Sequence, residues 1–201
     1  MPEITAIKPQ KNQKRVNIYL DGKFAFGLDL ENLMKFGLKV KQELSRKDIK
    51  EIVKKTLFQK TLDKLLRFTS LRPRSEKEIK DWLRRKKVHQ SLQKELLKRL
   101  KRLDLLDDRK FAKWWIEQRL TFRPRGLKVL KSELFQKGIH REIVDEAISS
   151  IRINEVRIAK GLLEKKKYRW EKLPKIEAMK KKSEFLLRKG FSWDIIKKIV
   201  D

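Results

Sequence analysis

Asp104-Leu105-Leu106-Asp107-Asp108, followed by Phe111-Ala112-Lys113-Trp114-Trp115-Ile116, Phe122-Arg123-Pro124-Arg125-Gly126 and Leu134-Phe135-Gln136-Lys137-Gly138-Ile139, reads as three short helices with punctuation between them. Asp107 or Asp108 is placed to cap the first helix, because a short carboxylate accepts the free N–H groups of a first turn. Pro124 and Gly126 break the chain before the second helix. Gly138 ends that helix, since glycine takes the left-handed conformation after a helix without steric cost. Leu127, Leu130 and Leu134 recur at helical spacing, as do Ile139, Ile143 and Ala147, and define the inward faces. The stretch closes at Ile151.

Working outward, the same pattern returns on both sides. Arg72-Pro73-Arg74 recurs as Arg123-Pro124-Arg125, Phe111-Ala112 as Ile158-Ala159, and Lys137-Gly138-Ile139 as Lys189-Gly190-Phe191, at offsets of 51, 47 and 52. Upstream, Leu57 to Thr69 carries Leu62, Leu65, Leu66 and Phe68 at helical spacing. Ser75 and Glu78 have the spacing of a capping box, in which each side chain covers the other's backbone N–H. Ile79, Trp82 and Leu83 face inward from that helix. Ser91 is placed to cap a third helix bearing Leu92, Leu96, Leu100 and Leu103. The expected fold is mainly α, with tandem three-helix, helix-turn-helix-like units at 56–106, 107–151 and 152–201. Units that contact only their neighbours give an elongated, curved arrangement.

Residues 1–55 differ in character. Val16, Ile18 and Leu20 alternate with polar residues, Asp21-Gly22 is a dipeptide of two-residue hairpin turns, and Phe24, Phe26 and Leu28 resume the alternation. Ile4 to Lys8 makes a third strand, joined through the polar loop Gln10 to Lys14. Asp29 caps a short helix that Gly37 ends, and Ser45 with Asp48 starts another carrying Ile49, Ile52 and Val53. A small N-terminal antiparallel sheet with short helices is expected.

The chain of 201 residues carries 55 Lys and Arg against 27 Asp and Glu, a net charge of +28. Residues 1–55 carry +6, residues 56–106 carry +10, residues 107–150 carry +3 and residues 151–201 carry +9. One basic run is a solvated helix face, but an excess of this size exceeds what solubility requires and points to a polyanion, foremost nucleic acid. No apolar run approaches the roughly 20 residues of a membrane-spanning helix. Met1-Pro2-Glu3 does not open a signal peptide, and the cysteine count of zero removes disulfides, thiolate catalysis and cysteine-ligated metal. A cytoplasmic protein is expected.

The Leu-Leu-Asp-Asp turn, the Phe-Ala-Lys-Trp-Trp run, the Arg119 to Gly126 segment and the Lys-Gly-Ile turn, with Leu71-Arg72-Pro73-Arg74-Ser75-Glu76-Lys77-Glu78-Ile79 upstream, resemble the RecX family of recombinase regulators. The resemblance is closest over Leu57 to Ile151. It implies a non-enzymatic regulator of homologous recombination, DNA repair and the SOS response. Such a protein binds RecA recombinase and its filament on single- or double-stranded DNA, and most often inhibits ATP hydrolysis and strand exchange. A monomer with no cofactor and no membrane partner is expected.

No catalytic constellation competes with that reading. His140-Arg141-Glu142 has the spacing of a zinc deaminase motif, but no cysteine pair completes the site. Walker and G-x-G-x-x-G loops are absent from the sequence. Candidate contacts with nucleic acid or recombinase are Arg72, Arg74, Arg123 and Arg125, whose guanidinium groups suit phosphate or carboxylate. Added to these are the basic runs Arg84-Arg85-Lys86-Lys87 and Lys165-Lys166-Lys167, with Arg169. The arginines equally suit helix C-termini or nearby acids. Further basic runs lie at Lys98 to Arg102 and Lys180 to Lys182. Trp82, Trp114, Trp115 and Trp193 sit at positions expected in cores, and Trp170 is the expected exposed aromatic. The alternative is a stand-alone helix-turn-helix transcription factor, supported by the glycine-turned helix pairs at Gly138 and Gly190. Bulk charge also permits an RNA-binding protein.

Overall fold

The structure, a computed structural model, describes residues 1–11 and 13–200. Asn12, in the polar loop between the first two strands, and Asp201, at the end of the third expected unit, lie outside the described residues. The chain divides into two compact units, Met1–Leu71 and Arg72–Asp201.

In the first unit, β1 (Ile4–Pro9), β2 (Arg15–Leu20) and β3 (Lys23–Asp29) form an antiparallel sheet in that order. The hairpin turn has positive φ at both Asp21 and Gly22, as a type I′ turn requires. The alternation in β3 does not continue to Phe24. The pairing shifts so that Ile18 faces Phe26 while Tyr19 faces Phe24, leaving one extra residue, Ala25, in β3. A bulge of this kind moves everything beyond it to the other face. Phe24 therefore stands exposed with its ring edge-on to Tyr19, while Phe26 joins Ile4, Val16, Ile18, Leu20 and Leu28 in the core.

Asp29 caps α1 (Leu30–Lys35) by accepting from the Asn32 amide, and Gly37 follows with φ +60°. Ser45 and Asp48 form a complete capping box at the start of α2. This helix runs unbroken from Arg46 to Ser70, where the sequence suggests two helices meeting near residue 55. Neither proline nor glycine interrupts Arg46–Ser70, and intervening polar residues are good helix formers, so the periodicity simply continues. Its first half closes the sheet with Ile49, Ile52 and Val53.

The second unit is helical throughout: α3 (Glu76–Arg85), α4 (Gln90–Arg102), α5 (Asp108–Phe122), α6 (Leu127–Gln136), α7 (Arg141–Ser150), α8 (Glu155–Glu164), α9 (Lys175–Arg188) and α10 (Trp193–Val200), with a 3-10 turn at Lys167–Arg169. Asp107 caps α5 through the Arg109 and Lys110 amides. Asp108 reaches instead to the Glu76 amide and caps α3 from outside. His89, not Ser91, caps α4, since its ring nitrogen is placed against the Ser91 amide and hydroxyl. His140 begins α7 without a side-chain cap. Two cores result. One gathers Phe111, Ala112, Ile116, Leu130, Leu134, Ile139, Val144 and Ala147, with Ile143 half-buried at its edge. The other gathers Ala159, Trp170, Phe185, Leu186, Phe191 and Ile196. No helix among the described residues is long and apolar enough to cross a membrane.

One junction ties these helices together. The Gly126 amide, at the start of α6, donates to the Lys189 carbonyl at 2.9 Å. A Cβ at Gly126 would lie 2.2 Å from the Gly190 carbonyl oxygen. Gly126→Ala should therefore destabilise the protein by about 3 kcal/mol through overpacking against rigid backbone. Gly161→Ala, in the middle of α8 where a Cβ meets nothing within 4 Å, should stabilise it by about 0.5–1 kcal/mol. Urea unfolding midpoints of the two variants check the contrast.

Candidate functional site

The loop from Arg72 to Ser75 seats the start of α3 on the turn between α6 and α7. Ser75 is fully buried; its hydroxyl donates to the Lys137 carbonyl at 2.8 Å and accepts from the Glu78 amide at 3.2 Å. The Glu78 carboxylate does not turn back to complete a capping box. It accepts two bonds from the Arg72 guanidinium, each 2.9 Å, and one from Lys137 at 2.6 Å. Two fixed cations outcompete a single backbone N–H, because charged hydrogen bonds are the stronger kind. Arg72 also lies over the Trp114 ring, while Arg119 and Lys137 lie over Trp115 at 4.4 and 5.0 Å. Glu133 closes the cluster by accepting from Arg119 at 2.6 Å and from the Trp115 indole at 2.9 Å. Burial pushes the Glu78 carboxyl up, but the bonds from Arg72 and Lys137 outweigh it and hold it at about 2.

Thus Arg72 is engaged inside the protein. Arg74 is half-buried, and its guanidinium is held below its ordinary value by burial and then by Arg72. Arg84, Arg85, Lys86 and Lys87 are exposed at the end of α3, with Arg84 bonded to Asp81 at 2.7 Å. Arg84 belongs to a larger feature. A groove of about 870 Å³ between α3 and α4 is lined by Lys80, Arg84, Lys94, Lys98, Lys101 and Arg102. Glu76 is the single acid among its described lining residues, and Lys80 and Lys101 both hold it at 2.7 Å. Lys80 and Lys94 do not stand out in the sequence. The signal is present as spacing: Lys80 with Arg84, and Lys94 with Lys98 and Arg102, each lie four residues apart along one helix face.

The remaining candidates lie elsewhere in the unit. Arg123, Lys165, Lys167 and Arg169 are exposed, whereas Arg125 and Lys166 are half-buried. Lys189, which sequence reasoning treats only as part of a turn, joins Arg125 and Lys166. Trp170 is buried against Phe185 with ring centroids 5.6 Å apart, contrary to the exposed position expected of it. The 3-10 turn directs Tyr168 outward and Trp170 inward, a local periodicity that the basic run around them conceals. Trp193, expected in a core, is half exposed at the start of α10. The candidates therefore do not form a single site: Arg72 and Arg74 lie at the Glu78 cluster, Arg84 lines the α3–α4 groove with Arg85, Lys86 and Lys87 following it at the end of α3, and Lys165, Lys166, Lys167 and Arg169 follow α8.

Glu78 sets an acid-sensitive element of stability. Its folded value lies below the ordinary 4.5, so its contribution is full above pH 4.5 and is lost as pH falls towards 2. A shift of that size corresponds to on the order of 3 kcal/mol. Glu78→Gln should lower stability at pH 7 by about 2 kcal/mol and flatten the fall in thermal midpoint between pH 4.5 and 2. A parallel fall in variant and parent would show that Glu78 does not set this limb.

Comparisons with known proteins converge on one family. The description "Regulatory protein RecX N-terminal domain" matches residues 2–45. "RecX, second three-helix domain" matches residues 107–148, and "RecX, third three-helix domain" matches 154–200. Regulatory protein RecX of Bacillus licheniformis is 41% identical over 202 residues, spanning 98% of this chain and 75% of that protein. That of Bacillus subtilis is 37% identical over 203 residues, spanning 100% and 77%. A crystal structure of regulatory protein RecX superposes with a TM-score of 0.73 at 29% identity, covering 99% of this chain and 98% of the other. A RecX structure from Lactobacillus salivarius gives 0.64 at 30% identity over 71% of this chain and 94% of the other.

Proposed function

The chain belongs to the RecX family of regulatory proteins, and we propose that it is a non-enzymatic, cytoplasmic regulator that binds a RecA-type recombinase filament on DNA and inhibits it. The reading is carried by similarity to proteins named regulatory over nearly the whole chain, joined to the α3–α4 groove with six cations and one acid. A groove of that charge attracts phosphates without sequence preference, because neutralising them releases condensed counterions. Bound through such grooves, a monomer of this protein would occupy surface that strand exchange needs and favour filament disassembly. Arg84, Arg85, Lys86 and Lys87 extend the groove at the end of α3, and Arg123, Lys165, Lys167 and Arg169 offer a second contact region on the same unit.

The test is the single-stranded-DNA-dependent ATPase of a RecA-type recombinase, titrated with the protein beside a DNA-only binding curve at the same salt. The expected result is inhibition at protein concentrations below those that coat bare DNA. Replacing Lys80, Lys94 and Lys98 with glutamine should raise the concentration for half inhibition by about tenfold, as a few phosphates go unneutralised. Inhibition only at DNA saturation would reduce the effect to competition by a basic protein. No inhibition, with tight binding to one duplex sequence, would favour a transcription factor.

A further inference from the structure

The two Arg-Pro-Arg loops seat helix starts on Lys-Gly turns in the same manner, so the residues around them can be matched in order. Ile79 and Leu83 match Leu130 and Leu134, and all four are fully buried. Arg72 and Arg74 match Arg123 and Arg125, and Lys137 matches Lys189. Through Phe111-Ala112 and Ile158-Ala159, Arg119 matches Lys166. Each cation of the first junction thus has a counterpart in the second. The acids do not: Glu78 falls on Val129 and Glu133 on Phe185. Nor do the indoles, since Trp114 falls on Gly161 and Trp115 on Leu162.

The second junction therefore keeps the positive charge without the two carboxylates that neutralise it in the first; Glu155 is retained, but like Asp108 on the Glu76 amide it caps a helix start, accepting from the Leu127 amide at 2.9 Å. The Lys166 and Lys189 ammonium groups lie 5.4 and 5.6 Å from the centre of the one Phe185 ring. None of Arg125, Lys166 and Lys189 has a carboxylate partner among the described residues. The Lys189 ammonium is held below its ordinary value by burial and then by Arg125 and Lys166. A Cβ at Gly161 would meet nothing within 4 Å, where Trp114 fills the corresponding place in the first junction. Half-buried like charges are costly unless something anionic joins them.

We propose that Arg125, Lys166 and Lys189 form an anion site that takes a backbone phosphate of single-stranded nucleic acid, in the role that the Glu78 and Glu133 carboxylates play in the first junction. A phosphate fits better than a lone carboxylate from a protein, because Lys165, Lys167 and Arg169 stand exposed along the same turn and continue the positive surface. The proposal deepens the functional reading and rests on it for the class of ligand.

The experiment uses the full chain without recombinase. Thermal stability is compared in inorganic phosphate and in chloride at equal ionic strength, and binding of a labelled oligothymidylate is followed across a salt series. Phosphate should raise the thermal midpoint of the parent. Lys166→Gln with Lys189→Gln should abolish that rise and reduce the salt slope of oligonucleotide binding by about 0.7 for each phosphate that is no longer neutralised. Val129→Glu, which restores the missing acid, should also abolish the phosphate effect while raising stability in chloride. Should that variant fail to fold, the lysine pair carries the test alone. Lys23→Gln with Lys35→Gln, two exposed lysines of the first unit, is the charge-matched control. A lysine pair that behaves like this control overturns the proposal. Unchanged phosphate and oligonucleotide binding, with recombinase inhibition abolished, would assign the site to a protein carboxylate and also overturn it. Loss of phosphate binding in the variant, with no recombinase inhibition even by the parent, would sustain the site and sink the functional reading.

Discussion

The seat of one helix start on the following glycine turn sets the spacing of the second unit. At Gly126 it is made by backbone alone: an amide donates to the Lys189 carbonyl at 2.9 Å, and the approach leaves no room for a side chain. At Ser75 a buried hydroxyl does the same work on Lys137 at 2.8 Å. Once the start of α3 or α6 is fixed in this way, helical periodicity places Ile79 and Leu83, or Leu130 and Leu134, in the cores. The loop arginines are then held beside the lysine of the turn, whatever else surrounds them. A cluster of cations at each junction is thus a consequence of the packing, and the neighbouring residues decide what neutralises it.

Much of this is legible in the sequence because the signals are local. The Asp21-Gly22 turn, the caps at Asp29 and Ser45, the ends at Gly37, Gly138 and Gly190, and the breaks at Pro73 and Pro124 each depend on a few adjacent residues. What is not legible depends on partners distant in sequence. Glu78 reads as half of a capping box until Lys137, fifty-nine residues away, is placed beside it. Asp107 and Asp108 read alike as caps for one helix, yet only Asp107 caps it while Asp108 serves Glu76. Phe24 keeps the alternation of a strand, but an extra residue in β3 moves it off the core face.

The candidate site shows the same division. Single basic runs are visible, but the α3–α4 groove combines Lys80 and Arg84 from one helix with Lys94, Lys98 and Arg102 from the next. Its character arises from two faces brought together, and neither face is unusual alone. Trp170 reads as exposed for a related reason: the charges around it are exposed while the ring turns into the core against Phe185.

Charge counted along the chain is also not charge available to a partner. Residues 107–150 are the least basic segment, and most of their acids are engaged internally. Asp107 and Asp108 cap helices, Glu133 binds Arg119, Asp145 pairs with Lys131, and Glu146 pairs with Arg109. The segment's modest excess therefore understates how its cations differ. Arg119 and Lys137 are neutralised at one junction, whereas Arg125 stands with Lys166 and Lys189 at the next. A substitution pattern that removes two acids from a repeated junction while keeping its cations turns a structural ion-pair cluster into a group of cations without those internal partners. The same fold then offers a rigid, partly desolvated place for an external anion, and that place needs no new backbone to hold it.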